Sequence, residues 1–208
     1  MLKFILIAII VASDGGAMNI HKVIQERRSI RRYAQDSIPL ETIKKIVGDG
    51  RMAPSPVNIQ AWEFVVIQNK ELVKMLSDHL GWLGGEPPEG QGPTVIILIL
   101  LDKDVSTKWA VIAGAGACCE NMLLSAWSEG IGSCWIGSIR DKDKIKKILK
   151  IPAHLKIFSA ITLGYPAEVP IIEKYKGRTR PWRDNKGVLH VPKRELKDIM
   201  HINYYGKH

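Results

Sequence analysis

Thr94-Val95-Ile96-Ile97-Leu98-Ile99-Leu100-Leu101 is an unbroken aliphatic run of strand length. Alternation would mark a strand with one wet face, whereas continuity marks a strand covered on both faces. Downstream, Thr107 to Glu129 reads as a long helix stopped by Gly130 and Gly132. It is apolar almost all round, which places it in a core or a subunit interface. Ser133 to Ile139 and Ile157 to Leu163 read as further strands, with a basic amphipathic helix, Lys142 to Leu149, between them. Upstream, Glu63 to Gln68 reads as a strand and residues 70–80 suit a helix. Asn19 can cap a short helix reaching Glu26, and Pro39 opens another with Leu40, Ile43 and Val47 as its stripe. Helices and strands mix without strict βαβ alternation, which predicts an α+β fold.

The chain has 208 residues, 46% hydrophobic and 25% charged. That suits one domain and excludes a disordered, collagenous or disulfide-stapled chain. We expect a single domain over 18–208 with a basic C-terminal segment. Residues 1–17 contain nine apolar residues behind Lys3, too few to span a bilayer, which needs ~20. They are expected to be a non-native start, with a signal-like export segment as the lesser alternative. Three cysteines, Cys118, Cys119 and Cys134, lack a C-x-x-C pair and read as buried thiols of a cytoplasmic protein.

The net charge of +9 invites a polyanion partner. Its location argues otherwise. Arg27-Arg28-Ser29-Ile30-Arg31-Arg32 carries +4, and Lys174 to Lys186 carries +5, so two short segments hold the whole excess. The aromatics near them (Tyr33, Tyr175 and Trp182) are not interleaved as a nucleic-acid surface requires, and no helix-turn-helix or zinc-finger spacing occurs. Neither nucleic acid nor a stable membrane association is expected. The six histidines lack metal spacing, and there is no P-loop or G-x-S-x-G. Gly114-Ala115-Gly116 lies inside a helix rather than after a strand, so it is no dinucleotide fingerprint.

Three segments have more chemical content. In Arg27-Arg28-Ser29-Ile30-Arg31-Arg32-Tyr33, guanidiniums beside a hydroxyl suit a phosphate, although cations at a helix end also simply complement its dipole. In Ala53-Pro54-Ser55-Pro56-Val57-Asn58-Ile59-Gln60-Ala61-Trp62, Asn58 offers both a donor and an acceptor to a heterocycle edge, or serves as an ordinary turn asparagine. In Gly130-Ile131-Gly132-Ser133-Cys134-Trp135-Ile136-Gly137-Ser138, glycines let a ligand approach the backbone, or merely end a helix before a core strand. The Gly/Pro stretch Gly81 to Pro93 has the length of a functional lid.

In this order, the three segments followed by a basic C-terminal stretch resemble the nitroreductase family of flavoenzymes, from about Asn19 to about His190. The resemblance implies an α+β homodimer with a central mixed sheet flanked by helices and FMN at the dimer interface. It implies that Arg27 and Ser29 hold the FMN phosphate, with Arg28 and Arg31 near the phosphate, ribityl chain or N1 side of the ring. Pro54, Ser55, Asn58 and Gln60 would contact the isoalloxazine, and Ile136, Gly137 and Ser138 would face its N5. Arg180, or else Arg178, would return to the phosphate. Fixed positive charge near N1 stabilises a reduced ring without a proton-transfer residue, so no catalytic side chain and no metal are expected. The implied activity is hydride transfer from NAD(P)H through flavin N5 to nitro-aromatic, quinone or similar small acceptors, by a ping-pong cycle. Alternatives are another flavin reaction on the same fold, namely flavin fragmentation or reductive dehalogenation, or a non-enzymatic flavin- or nucleic-acid-binding protein.

Overall fold

The computed structural model describes residues 19–82 and 85–207. The leading segment 1–17 lies outside the described residues, as do Leu83 and Gly84 of the Gly/Pro stretch. The chain divides after Ala167 into two compact units, the second being Glu168–His208. Where the sequence suggests one domain with a basic tail, the tail thus packs as a unit of its own.

The first unit is a layered α+β arrangement. Its elements are α1 (Ile20–Glu26), α2 (Leu40–Gly50), β1 (Trp62–Ile67), α3 (Lys70–Ser77), β2 (Val95–Asp102), α4 (Trp109–Ser128), β3 (Gly132–Ile136), α5 (Lys142–Ile148) and β4 (Leu155–Gly164). Asn19 caps α1 by accepting from the His21 N–H at 2.8 Å, and Asn69 caps α3 by accepting from Leu72 at 3.0 Å. The strands form one sheet in the order β1-β2-β4-β3. All three pairings are antiparallel, which corrects the expected mixed sheet. Connections between sequential strands leave neighbours running in opposite directions, and the parallel element at this sheet is the single bridge Ser29–Ser133.

The aliphatic run becomes β2, buried from Val95 to Leu101. Its side chains alternate between two cores, as the twofold period of a strand requires. Val95, Ile97, Ile99 and Leu101 join Ile43 and Ile46 of α2 and Val111, Ala115, Cys118 and Met122 of α4. Ile96, Leu98 and Leu100 join Val73 and Leu76 of α3 and Ile145 of α5 on the opposite face. Each such Ile or Leu contributes roughly 1.5–3 kcal/mol by leaving water. The helix α4 is long and apolar enough to cross a membrane by length and composition, but half of it is buried inside the protein. Burial pushes the Cys118 thiol up to about 12 and the Cys119 thiol up to about 11, so both stay neutral at physiological pH.

The second unit contains β5 (Ile171–Lys174), β6 (Trp182–Arg183) and β7 (Leu189–Lys193). β7 pairs parallel to β5 and antiparallel to β6. Polar contacts replace much of the apolar core here. His190 Nδ1 lies 2.5 Å from Glu173 Oε1, and Nε2 lies 3.4 Å from Asp184 Oδ2. The Trp182 indole stacks on His190 with centroids 4.1 Å apart and donates to Glu173 at 3.1 Å. Arg183 pairs with the largely buried Glu168 at 2.7 Å.

This cluster carries a pH dependence. Burial opposes the charged imidazole of His190, but Glu173 and Asp184 outweigh it and raise its pKa. The His190 ring lowers the Glu173 pKa, and the Val188 N–H, followed by His190, lowers that of Asp184. The histidine contribution is full below the ordinary imidazole pKa and is lost as pH rises through the raised one. The carboxylate contributions are present above the ordinary carboxylate range and are lost as pH falls through the lowered values. The small sheet is therefore expected to be most protected between those limits when amide exchange at β7 is measured against pH. His190→Gln should remove the alkaline limb, and an unchanged limb in that variant contradicts the assignment.

Candidate functional site

The basic run Arg27–Tyr33 is pinned by its two apolar members. Ile30 and Tyr33 are fully buried, while Arg27, Arg28, Ser29, Arg31 and Arg32 remain half-buried. The Ile30 N–H donates to the Ser133 carbonyl at 2.8 Å, and Ser29 bridges Ser133. A Cβ on Gly132 would meet the Ile30 side chain at 3.0 Å, and one on Gly164 would meet the Tyr33 ring at 2.7 Å. Gly132 and Gly164 are cross-strand partners, so the pair opens one groove across β3 and β4 that receives both anchors. The Tyr33 hydroxyl donates to the Ile30 carbonyl at 2.5 Å and lies 2.8 Å from Thr162 Oγ1. With the anchors inside, the polar side chains between them are presented along the outer edge of β3.

These polar residues do not share one fate. Arg27 Nε faces Glu120 of α4 at 3.2 Å, which offsets part of its charge. The Arg28 guanidinium folds back on the carbonyls of Gln25, at 2.6 Å, and Arg27. Burial, then the neighbouring Arg27, holds its pKa below the ordinary arginine value. Arg28 thus serves the C-terminal end of α1, where a cation complements the helix dipole. Arg31 instead lines a small cavity of about 70 Å³ with Ile136, Gly137 and Ser138 at the end of β3. Open space surrounds the position where Gly137 would carry a Cβ. Four of the expected site residues therefore meet at one cavity, and Ser29 bridges Ser133 on the strand that leads to it.

The turn that precedes β1 does not line that cavity. It rests on α4: a Cβ at Gly114 would come within 3.1 Å of the Pro54 carbonyl and 3.5 Å of Ser55 Cα. Gln60 N–H donates to Ser55 Oγ at 3.1 Å, and the Gln60 amide donates to Asn58 Oδ1 at 3.1 Å. Val57, Asn58 and Gln60 have φ of 44°, 56° and 46°. A β-branched residue in the left-handed region is strained, and Val57 is also 98% exposed. The strained turn thus presents its apolar tip and the Asn58–Gln60 pair outward.

Arg178 and Arg180 lie in the second unit, between β5 and β6, and are exposed. Part of the second basic cluster is internally committed: Lys174 pairs with Glu195, and Arg183 with Glu168. Gly81, Trp82, Cys134 and Trp135 complete the cavity wall; the first two fall in the Gly/Pro stretch and the last two in the Gly130–Ser138 segment, but the sequence did not single them out as site residues. The available signal was the indole at the mouth of the Gly/Pro stretch. A larger opening of about 550 Å³ lies between α3 and that stretch, but it contains none of the expected site residues. Among the described residues, no cluster of His, Cys, Asp or Glu could hold a metal ion.

Known proteins are similar to this chain in sequence and fold. Residues 24–165 match the nitroreductase family. The chain is 34% identical over 150 residues to an Archaeoglobus fulgidus protein provisionally named NADH dehydrogenase/NAD(P)H nitroreductase; the match covers 71% of this chain and 85% of the relative. A crystal structure from Desulfovibrio desulfuricans, provisionally described as a nitroreductase and solved with FMN, is similar at 30% identity and a TM-score of 0.65. That match covers 78% of this chain and 94% of the other. An FMN-dependent nitroreductase from Clostridium difficile is similar at 26% identity and a TM-score of 0.65, covering 88% and 98% of the two chains. The chain belongs to the nitroreductase family, and the family match ends before Arg178 and Arg180.

Removing the anchor should loosen the presented run. Ile30→Ala is expected to lower unfolding stability by about 2–5 kcal/mol in denaturant titration, the usual cost of truncating a fully buried isoleucine. A change under about 0.5 kcal/mol, the range of ordinary surface substitutions, contradicts the pinning role.

Proposed function

We propose that the chain is an FMN-dependent oxidoreductase that takes hydride from NAD(P)H and passes it to nitro-aromatic, quinone or similar small acceptors. The observation that carries this reading is the meeting of Arg31 with Ile136, Gly137 and Ser138 at one cavity beside the pinned Ser29. Family membership and the relatives' names support it.

The residues fit the cofactor. Ser29 and Arg27 supply a hydroxyl and a guanidinium for the phosphate, with Glu120 limiting the free motion of Arg27. Arg31 lines the cavity at the strand end, where its cation would favour negative charge on the reduced ring. Gly137 leaves its backbone open to close approach. When bound, FMN supplies hydride acceptance and delivery, which accounts for a site without an acid–base pair. Arg178 and Arg180 are second-unit candidates for the phosphate. Physiologically, we place the protein in the cytoplasm, consistent with its three buried free thiols.

A cavity of about 70 Å³ is smaller than the roughly 300–1,000 Å³ of ordinary ligand pockets. The chain therefore contributes one wall, and we assign the other to a second copy. The exposed Val57 (98%), Trp109 (81%) and Met52 (68%) supply apolar surface for that contact. Pro54, Ser55, Asn58 and Gln60 would then approach the partner's ring rather than that of their own chain. Light scattering of the FMN-loaded protein should give twice the chain mass, and a monomer contradicts this assembly.

The activity is tested by the visible spectrum. The FMN-loaded protein should bleach anaerobically on addition of NADH or NADPH and recover its colour with an acceptor. A protein that neither carries nor takes up FMN, or that only dithionite bleaches, contradicts the reading. Arg27→Ala should weaken FMN retention at least about tenfold, as expected for a charge-assisted phosphate contact. Lys144→Ala, on the exposed side of α5, should leave it unchanged.

A further inference from the structure

Besides Trp135, the cavity at the end of β3 has an aromatic wall residue that no motif assigned. Trp82 lines it together with Arg31, Ile136, Gly137 and Ser138. The main chain leading into Trp82 is held in place by a short ladder between residues 78–81 and 138–141. Gly81 N–H donates to the Ser138 carbonyl at 2.8 Å, and Arg140 N–H donates to the His79 carbonyl at 2.9 Å. Leu80 bridges Ile139, and His79 pairs with Asp141 at 3.0 Å. The Arg140 guanidinium reaches the Asp78 carbonyl at 2.5 Å.

The residue before the tryptophan has little steric freedom. A Cβ on Gly81 would fall 2.6 Å from Ser138 Oγ and 2.7 Å from its Cβ, so the two strands of the ladder approach at a distance that only glycine permits. The indole is also fixed at its polar end, where Nε1 donates to the Ser77 carbonyl at 3.1 Å. Its apolar body rests partly on the core shared by α3 and α5. Trp82 is thus locked to the same strand end that carries Gly137 and Ser138, at the point where the Gly/Pro stretch begins.

We propose that Trp82 is the aromatic wall of the ring-binding end of the site, setting how tightly the isoalloxazine is held there. This rests on the reading that FMN occupies the cavity. A planar ring entering beside Gly137 meets the indole, and aromatic pairs in offset or edge contact gain affinity beyond their buried area. Ladder, glycine clearance and indole hydrogen bond together make a positioned contact rather than a mobile cover.

The test uses full-length wild type, Trp82→Leu, Trp82→Phe and, as a control on α4 outside the cavity, Trp127→Phe. Each is titrated with FMN while tryptophan emission and the visible flavin band are followed. Trp82→Leu should weaken FMN binding about fivefold and alter the flavin band, whereas Trp82→Phe should stay within about twofold of wild type. Trp82→Phe should also lose part of the FMN-dependent emission quenching, a readout that persists if the leucine variant folds poorly. Trp127→Phe should retain wild-type affinity. An unchanged band and affinity in a folded Trp82→Leu, or an undiminished quenched fraction in Trp82→Phe, overturns the role of Trp82. Failure of wild type to bind FMN overturns the underlying assignment of the site instead.

Discussion

A glycine pair governs the geometry of the site. Gly132 and Gly164 face each other across β3 and β4, and the missing side chains leave a groove for Ile30 and Tyr33. With those anchors buried and the Ile30 N–H bonded to Ser133, the intervening residues have little choice of direction. Ser29 lies against β3, and Arg31 reaches the cavity at its end. The cationic residues thus owe their placement to apolar packing. This is economical, because guanidiniums are held near one another without a buried carboxylate for each.

Helix α4 is the second organising element. Its buried face completes one core with β2 and α2, and its small residues admit neighbours at short range. Gly114 admits the turn before β1, Gly116 lies against Trp135, and Glu120 meets Arg27. The strained turn, the basic run and the end of β3 therefore share a single rigid support. Such strain persists where surrounding structure over-determines a segment, and it concentrates at functional sites. The net charge of +9 accordingly acts locally: Arg28 satisfies a helix end, Lys174 and Arg183 close internal pairs, and Arg31 faces the cavity.

Much of this was legible in the sequence because it follows from period and local chemistry. The uninterrupted Thr94–Leu101 run announces a doubly covered strand, and Asn19 caps its helix where side-chain chemistry predicts. Three features were not legible. The small sheet of β5, β6 and β7 is stabilised by Glu173, Trp182, Asp184 and His190, which leave no hydrophobic period to read. The all-antiparallel order depends on which strands become neighbours, a property of the assembled sheet. Trp82 sits in a Gly/Pro stretch without period, and its position follows from a ladder to residues more than fifty positions away. The R-R-S-x-R motif did mark the basic run, but only the packing of Ile30 and Tyr33 separates the roles of Arg27, Arg28 and Arg31.

The most direct measurement is a crystal structure of the full chain grown with FMN. The account predicts the phosphate at Ser29 and Arg27, and the ring beside Gly137 and Ser138 with Arg31 at its edge. Flavin density elsewhere on the chain, or a ring whose surroundings exclude Arg31 and Gly137, contradicts it.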